Sequence, residues 1–300
     1  LGAASIAAPF VTRRPTISSC VDIIRFGRAT LSSTLDLFKL LALTCLISAY
    51  TMSILFCENV KFGDKQMTIV QLVLSMSFMA VSWAKPLRTL SSERPFQTQF
   101  NSYLVLTVLL QFAVNFGSMF YIRSAVLAAG YETPPFDNKV KFSPSLMNSA
   151  MFILTNFQQI ATFAANYRGQ PFMQSFMQNK LLSISLLVCT VLNSVLVSEW
   201  FPMFNEFMEI VPFPSAHFRK QLALTCAFEV FSVIAIDKIL LFTFSVLSKA
   251  KTSTLVSKEV KDGVESYVPH DDDLLPEEKH KFGVIDMFKA NIQLQKNMMI

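Results

Sequence analysis

Three charges stand inside an otherwise apolar segment of this chain. Glu229, Asp237 and Lys238 interrupt Gln221–Ser248. An ionised side chain at membrane depth costs about 3 kcal/mol or more, so such residues are candidates for function before anything else. Asp237 and Lys238 are neighbours and point to different faces of a helix. Lys238 is about two turns from Ser245 and can snorkel toward a surface, so this pair is expected to anchor the segment at an interface and to pack against a neighbour. Glu229 lies about a third of the way in, and the residues leave structural pairing and a role in transport equally open. Two uncharged polar stripes accompany these charges. Thr44, Ser48 and Thr51 recur at helical spacing, and so do Gln71, Ser75 and Ser82. Such stripes either hydrogen-bond neighbouring helices or line a wide, polar, uncharged pathway. A third polar segment holds Asn148, Asn156, Gln158, Gln159 and Asn166. These crowd more than one helical face, so that segment is expected to pack on protein as well as lipid.

Other chemistry lacks its residues. The chain has no GxxxxGK[ST] phosphate loop, no HExxH and no nucleophile elbow, so it has no means of its own to hydrolyse a nucleotide. Cation pumps need several hard oxygen ligands at mid-membrane, and segments 40–56 and 67–84 contain no carboxylate. His217, His270 and His280 are far apart, and the five cysteines (20, 45, 57, 189, 226) show no paired spacing. Neither a zinc site nor a disulfide framework follows. Asp271–Asp273 and Glu277-Glu278 read as a solvated acidic run instead of a metal site. The net charge of +5 is scattered and makes no nucleic-acid footprint.

The elements that must position these residues are six long apolar stretches. Leu40–Phe56, Met67–Ala84, Phe100–Ile122, Ser145–Tyr167 and Leu181–Ser198 contain no Asp, Glu, Lys or Arg, and Gln221–Ser248 is the sixth. A helix crosses a bilayer with about 20 apolar residues. The runs are continuous and not alternating, which excludes barrel strands. With 52% hydrophobic and 16% charged residues among 300, and a mean hydropathy of +0.43, the expected class is an all-α membrane protein with six transmembrane helices.

Cys20–Thr34 has apolar residues near helical spacing and is expected to be a water-exposed stalk running unbroken into the first span, with Asp36 and Lys39 close enough to pair. The connections are 57–66, 85–99, 123–144, 168–180 and 199–220, the longer two punctuated by prolines. Residues 249–300 read as a charged, disordered tail. Six spans put both ends on one side. That side carries more Lys and Arg, including Lys85, Arg88, Arg168 and Lys180, which places both ends in the cytosol. Leu1 is not an initiator Met, and the chain is expected to be a piece of a longer polypeptide.

Several motifs in order carry a resemblance. LGAASIAAPF (1–10), IIRFGRATL (23–31), FKLLALTCLISAYTMSILF (38–56) and NVKFGDKQMT (59–68) are followed by KPLRTLSSERP (85–95), FSPSLMNS (142–149), ATFAANYRGQPFMQS (161–175) and NEFMEIVPFP (205–214). Together they resemble the type-V P-type ATPases, subgroup A, over roughly residues 1–245. That resemblance implies helices five to ten of a P-type ATPase, with the phosphorylation motif DKTGT, the TGE motif and the GDGxND motif all in a missing N-terminal half. It implies ATP and Mg²⁺ as cofactors of the full-length parent, none bound by this chain.

The resemblance also implies location in the endoplasmic reticulum membrane and extraction of mis-inserted transmembrane helices. By position, residues 1–34 resemble the end of the phosphorylation domain and the stalk. Residues 35–84 resemble two substrate-facing helices, 85–248 a four-helix support bundle, and 249–300 the tail. The expected partners are the lipid bilayer, the rest of the polypeptide and transmembrane-helix clients, without nucleic acid. Two rivals remain from the sequence: a polyamine- or cation-exporting type-V ATPase, and a non-enzymatic six-span scaffold.

Overall fold

A computed structural model of the chain describes residues 18–91, 95, 96, 98, 100–132 and 142–266, with 247–266 described by backbone alone. The motif at 1–10, the Pro134-Pro135 pair and the acidic run at 271–278 lie outside the described residues.

The apolar stretches become helices: α1 (Ser18–Cys57), α2 (Asp64–Ser82), α3 (Ser102–Ala128), α4 (Leu146–Asn166), α5 (Lys180–Ser198), α6 (Pro202–Phe207) and α7 (Ala216–Ser266). Capping residues set their starts. The Asn101 side chain accepts from the Tyr103 N–H at 3.2 Å, Ser145 from Asn148 at 3.2 Å, and Asn179 from Leu182 at 3.3 Å. α6 was expected to be loop. Pro202 supplies the fixed φ of a first helical position, which starts this short helix inside the 199–220 connection. α1 runs without a break from Ser18 to Cys57.

Among the described residues the fold is all-helical apart from one isolated bridge, Pro86 with Met173. Three helices are long and apolar enough to cross a membrane: α1, α3 and α5. α2 falls short because Lys65, Gln66 and Gln71 dilute it, and α4 because of its amides.

α4 is the central helix. It packs on α1, α2, α3 and α5, and most of its residues are buried. Two apolar clusters meet along it. One joins Ile47, Ile54, Met119, Met151 and Leu222, and the other joins Leu40, Leu74, Phe163 and Leu182. Large apolar side chains also face outward, such as Leu187 on α5 and Phe231 on α7, which a bilayer would cover. α4's position explains its composition, because its amides meet protein. The Asn166 amide donates to Gln111 Oε1 at 2.8 Å, and the Gln111 amide returns a bond to Asn166 Oδ1 at 3.1 Å.

The chain divides into two compact units, Leu1–Phe242 and Thr243–Ile300. Within the second, the backbone is helical to Ser266. The disordered tail expected from residue 249 is corrected to this extent. Residues 249–266 contain no proline and carry Lys261 four residues before Glu265, a spacing that supports a helix.

Candidate functional site

The two polar stripes take opposite fates. On α1, Thr44 and Thr51 are buried and Ser48 is half-buried. The Thr51 hydroxyl donates to the Ile47 carbonyl at 2.8 Å and lies 3.1 Å from the Thr155 hydroxyl of α4. Thr44 donates to its own helix at Leu41, 3.1 Å away. This face joins α1 to the bundle. On α2, by contrast, Gln71, Ser75 and Ser82 are all exposed. Asp64 and Thr68 extend the same open polar face toward the start of the helix. Leu74, Ala80 and Val81 of α2 turn inward, whereas Leu72, Met76 and Met79 are exposed like the stripe.

At one end of the bundle, α1 meets α3 and α7 through a buried ion pair. Lys39 Nζ lies 3.0 Å from Asp237 Oδ1, and the Tyr103 hydroxyl donates to the same oxygen at 2.8 Å. The paired side chains are only 4% and 6% exposed. Asp36 does not pair with Lys39. Its Oδ2 accepts from the backbone N–H of Arg168 at 3.1 Å. The expected Asp36–Lys39 contact fails because both side chains find partners on other segments. Lys238 is exposed and lies 3.9 Å from Asp237.

The same end gathers the connections on either side of the bundle. Arg25 donates to the Arg88 carbonyl at 3.0 Å, and Arg28 donates to that of Ser91. The Leu87 N–H donates to Phe172 O at 3.1 Å, and the Gln174 N–H to Lys85 O at 3.0 Å. The N-terminal half of α1 is therefore tied to the α2–α3 connection, which is tied in turn to the α4–α5 connection. A displacement of α1 along its axis has to drag or break these contacts.

The opposite end is held by its own ion pairs. Arg123 binds Glu58 at 2.6 Å, Lys65 binds Glu209 at 3.1 Å, and Arg219 binds Glu199 at 3.0 Å. The Gln66 amide nitrogen, at the start of α2, donates to Asn148 Oδ1 at 3.0 Å and to the Met208 carbonyl at 3.1 Å. Sequence reasoning did not single out Tyr103 or Gln66, and for Lys39 it named Asp36 as the partner instead of Asp237. For Lys39 the available signal was a lone cation at the edge of an apolar run.

Glu229 is buried, and Ser118 of α3 donates to its Oε2. Among the described residues no three His, Cys, Asp or Glu side chains come together as metal ligands. The described residues therefore offer no carboxylate cluster that fits Mg²⁺.

The chain is similar to known proteins over most of its length. It is 39% identical over 244 residues, 81% of this chain, to an endoplasmic reticulum transmembrane helix translocase of Saccharomyces cerevisiae. A protein of the same name from Schizosaccharomyces pombe is 40% identical over 227 residues, 75% of this chain. A probable manganese-transporting ATPase of Arabidopsis thaliana is 38% identical over 216 residues, 71% of this chain. The chain belongs to the subgroup-A type-V P-type ATPases. It spans only about a fifth of the length of these relatives: 20%, 18% and 18%. No family model matches it.

Proposed function

We propose that this chain is the membrane region, helices five to ten, of an ATP-driven translocase of the endoplasmic reticulum. The whole protein extracts mis-inserted transmembrane helices. ATP and Mg²⁺ act on parts of the polypeptide outside this chain, and both ends of the chain face the cytosol. α1 carries motion from the nucleotide-driven parts into the membrane. α2 presents the cargo wall, and α3, α4, α5 and α7 form the support.

The observation that carries this reading is the open face of α2. Gln71, Ser75 and Ser82 are exposed hydroxyls and an amide with no charge among them. A polypeptide helix with polar flanks needs hydrogen-bonding groups that do not demand an opposite charge. Ser48 of α1, half-buried, joins this wall, whereas Thr44 and Thr51 serve it indirectly by seating α1 on α4. A manganese-moving reading, which the name of the plant relative suggests, would need carboxylates that 40–56 and 67–84 do not supply.

Photocrosslinkers placed at Gln71 and Ser75 in the full-length polypeptide test the reading with a tail-anchored helix as client. Adducts at these positions are expected, with none at Leu187, an outward apolar residue of α5. Adducts confined to α4 or α5 would overturn it.

A further inference from the structure

Glu229 is a buried carboxylate that the cargo reading does not use. It is fully buried, and so are Asn115 of α3 and Gln158 and Thr162 of α4. Each has a side-chain oxygen with no hydrogen-bond partner: Glu229 Oε1, Asn115 Oδ1, Gln158 Oε1 and Thr162 Oγ1. Hydrogen bonds bring these groups to one level of the bundle. Ser118 donates to Glu229 and sits one turn from Asn115, while the Gln158 amide donates to the Asn115 carbonyl at 3.0 Å. Thr162 is one turn from Gln158. α4 meets α7 at the same level, where Ala161 and Ala165 pack on Val233.

A buried ionised carboxylate needs a compensating charge. No Lys, Arg or His pairs with Glu229 among the described residues. The titratable group beside it is the Cys226 thiol on its own helix, and the residues facing it from α3 and α4 are neutral. The nearest cation along α3, Arg123, is held by Glu58.

A groove leads to this place. It is about 380 Å³ in volume, between α3 and α7, lined by Gly117, Ser118, Tyr121, Gln221, Thr225 and Phe228. Its far end is polar, with the Gln221 amide donating to the Tyr121 hydroxyl at 2.8 Å. Its inner wall includes Ser118, the residue bonded to Glu229. A side chain built at Gly117 would meet no atom within 4 Å, so the groove is open there. Gln221 and Glu229 are separated by about 12 Å of helix, at about 1.5 Å per residue.

We propose that Glu229 and the orphaned oxygens of Asn115, Gln158 and Thr162 hold one exchangeable monovalent cation, a proton or an alkali ion, admitted through the α3–α7 groove. One carboxylate balances one positive charge. A divalent ion would need more carboxylate and more ligands than these helices provide. If the ion is a proton, hydronium in the groove gives it to Glu229 Oε1 and leaves as water. If it is Na⁺ or K⁺, the neutral oxygens replace part of its hydration shell. This inference is independent of the cargo.

The test uses the full-length polypeptide in lipid nanodiscs. Binding of ²²Na⁺ and ⁸⁶Rb⁺ is measured at fixed pH, and the infrared carboxylic-acid band is followed through pH steps. Glu229→Gln keeps an acceptor for Ser118 and should fold. An alkali ion predicts saturable radioisotope binding that this variant loses. A proton predicts no such binding, but a carboxylic-acid band that titrates with bath pH and vanishes in the variant. Absence of both signals, or either signal unchanged in Glu229→Gln, overturns the proposal. Gly117→Phe plugs the groove away from the carboxylate, and it should slow exchange while leaving the amount bound unchanged. Unaltered exchange overturns the access route, whatever Glu229→Gln does to folding.

Discussion

Lys39 and Asp237 form a buried ion pair, 3.0 Å from ammonium to carboxylate, between residues 198 positions apart in sequence. Desolvating both charges offsets much of their attraction, so the pair adds little net stability over an apolar replacement. Removing one partner is different, because the survivor is stranded. Lys39→Met or Asp237→Leu should each destabilise the protein by about 3–5 kcal/mol. The double variant should recover most of that loss. Thermal unfolding in detergent, followed through the four members of the cycle, measures it.

Tyr103 shares the Asp237 oxygen and so reports on the same hub with a milder change. Tyr103→Phe removes a hydrogen bond to a charged acceptor, worth about 1.5–3 kcal/mol. It also removes the hydroxyl that accepts from Lys39 Nζ at 3.4 Å, and it leaves the Lys39–Asp237 pair and the ring's stack on Phe96, at 5.3 Å between centroids, in place. The same unfolding assay should place this variant between wild type and Lys39→Met. A loss as large as that of Lys39→Met would mean that the hydroxyl, and not the ammonium, holds the hub.

Much of this fold was legible in the sequence, and the hub shows what was not. The all-helical class and the unbroken first helix follow from the sequence, because continuous apolar runs leave a signal that does not depend on distant partners. Lys39 had a nearer apparent partner, Asp36, three residues away. Its actual partner sits on the last long helix, and no periodicity carries that information. The stripes were visible at correct spacing on α1 and α2, but spacing fixes only that they share a face. Which face turns to protein is decided by neighbours, so Thr51 meets Thr155 whereas Gln71 stays open. The crowding of amides on α4 did predict contact with protein, and it became the central helix.

Gly63, just before α2, lies close against Glu209 of the α6–α7 connection. A Cβ there would lie 2.6 Å from Glu209 Oε2 and 2.9 Å from the Phe142 ring. Glu209 also binds Lys65, so it cannot withdraw without losing that pair. Gly63→Ala should cost about 1–3 kcal/mol, the range for overpacking. Glu209→Ala in the same chain should restore part of it. An unfolding midpoint equal to wild type for the single variant would show that the loop yields freely.

The open stripe on α2 separates cargo handling from folding, because its residues contribute little to packing. Ser82 and Thr68 donate to their own helix, at 3.0 and 2.8 Å to the Phe78 and Asp64 carbonyls, and make no interhelical bond in doing so. Replacing Gln71, Ser75 and Ser82 together with Leu should therefore leave unfolding within about 0.5 kcal/mol of wild type, as for surface substitutions generally. If the stripe meets clients, the same triple variant should sharply reduce release of a tail-anchored helix by the full-length protein in proteoliposomes. Thr51→Val gives the opposite pattern. It removes a buried interhelical contact, worth about 0.6 kcal/mol on average for membrane helices, with a smaller effect on release. Parallel losses of stability and release in both variants would mean that the two stripes share one structural duty, and the assignment of the wall to α2 would fail.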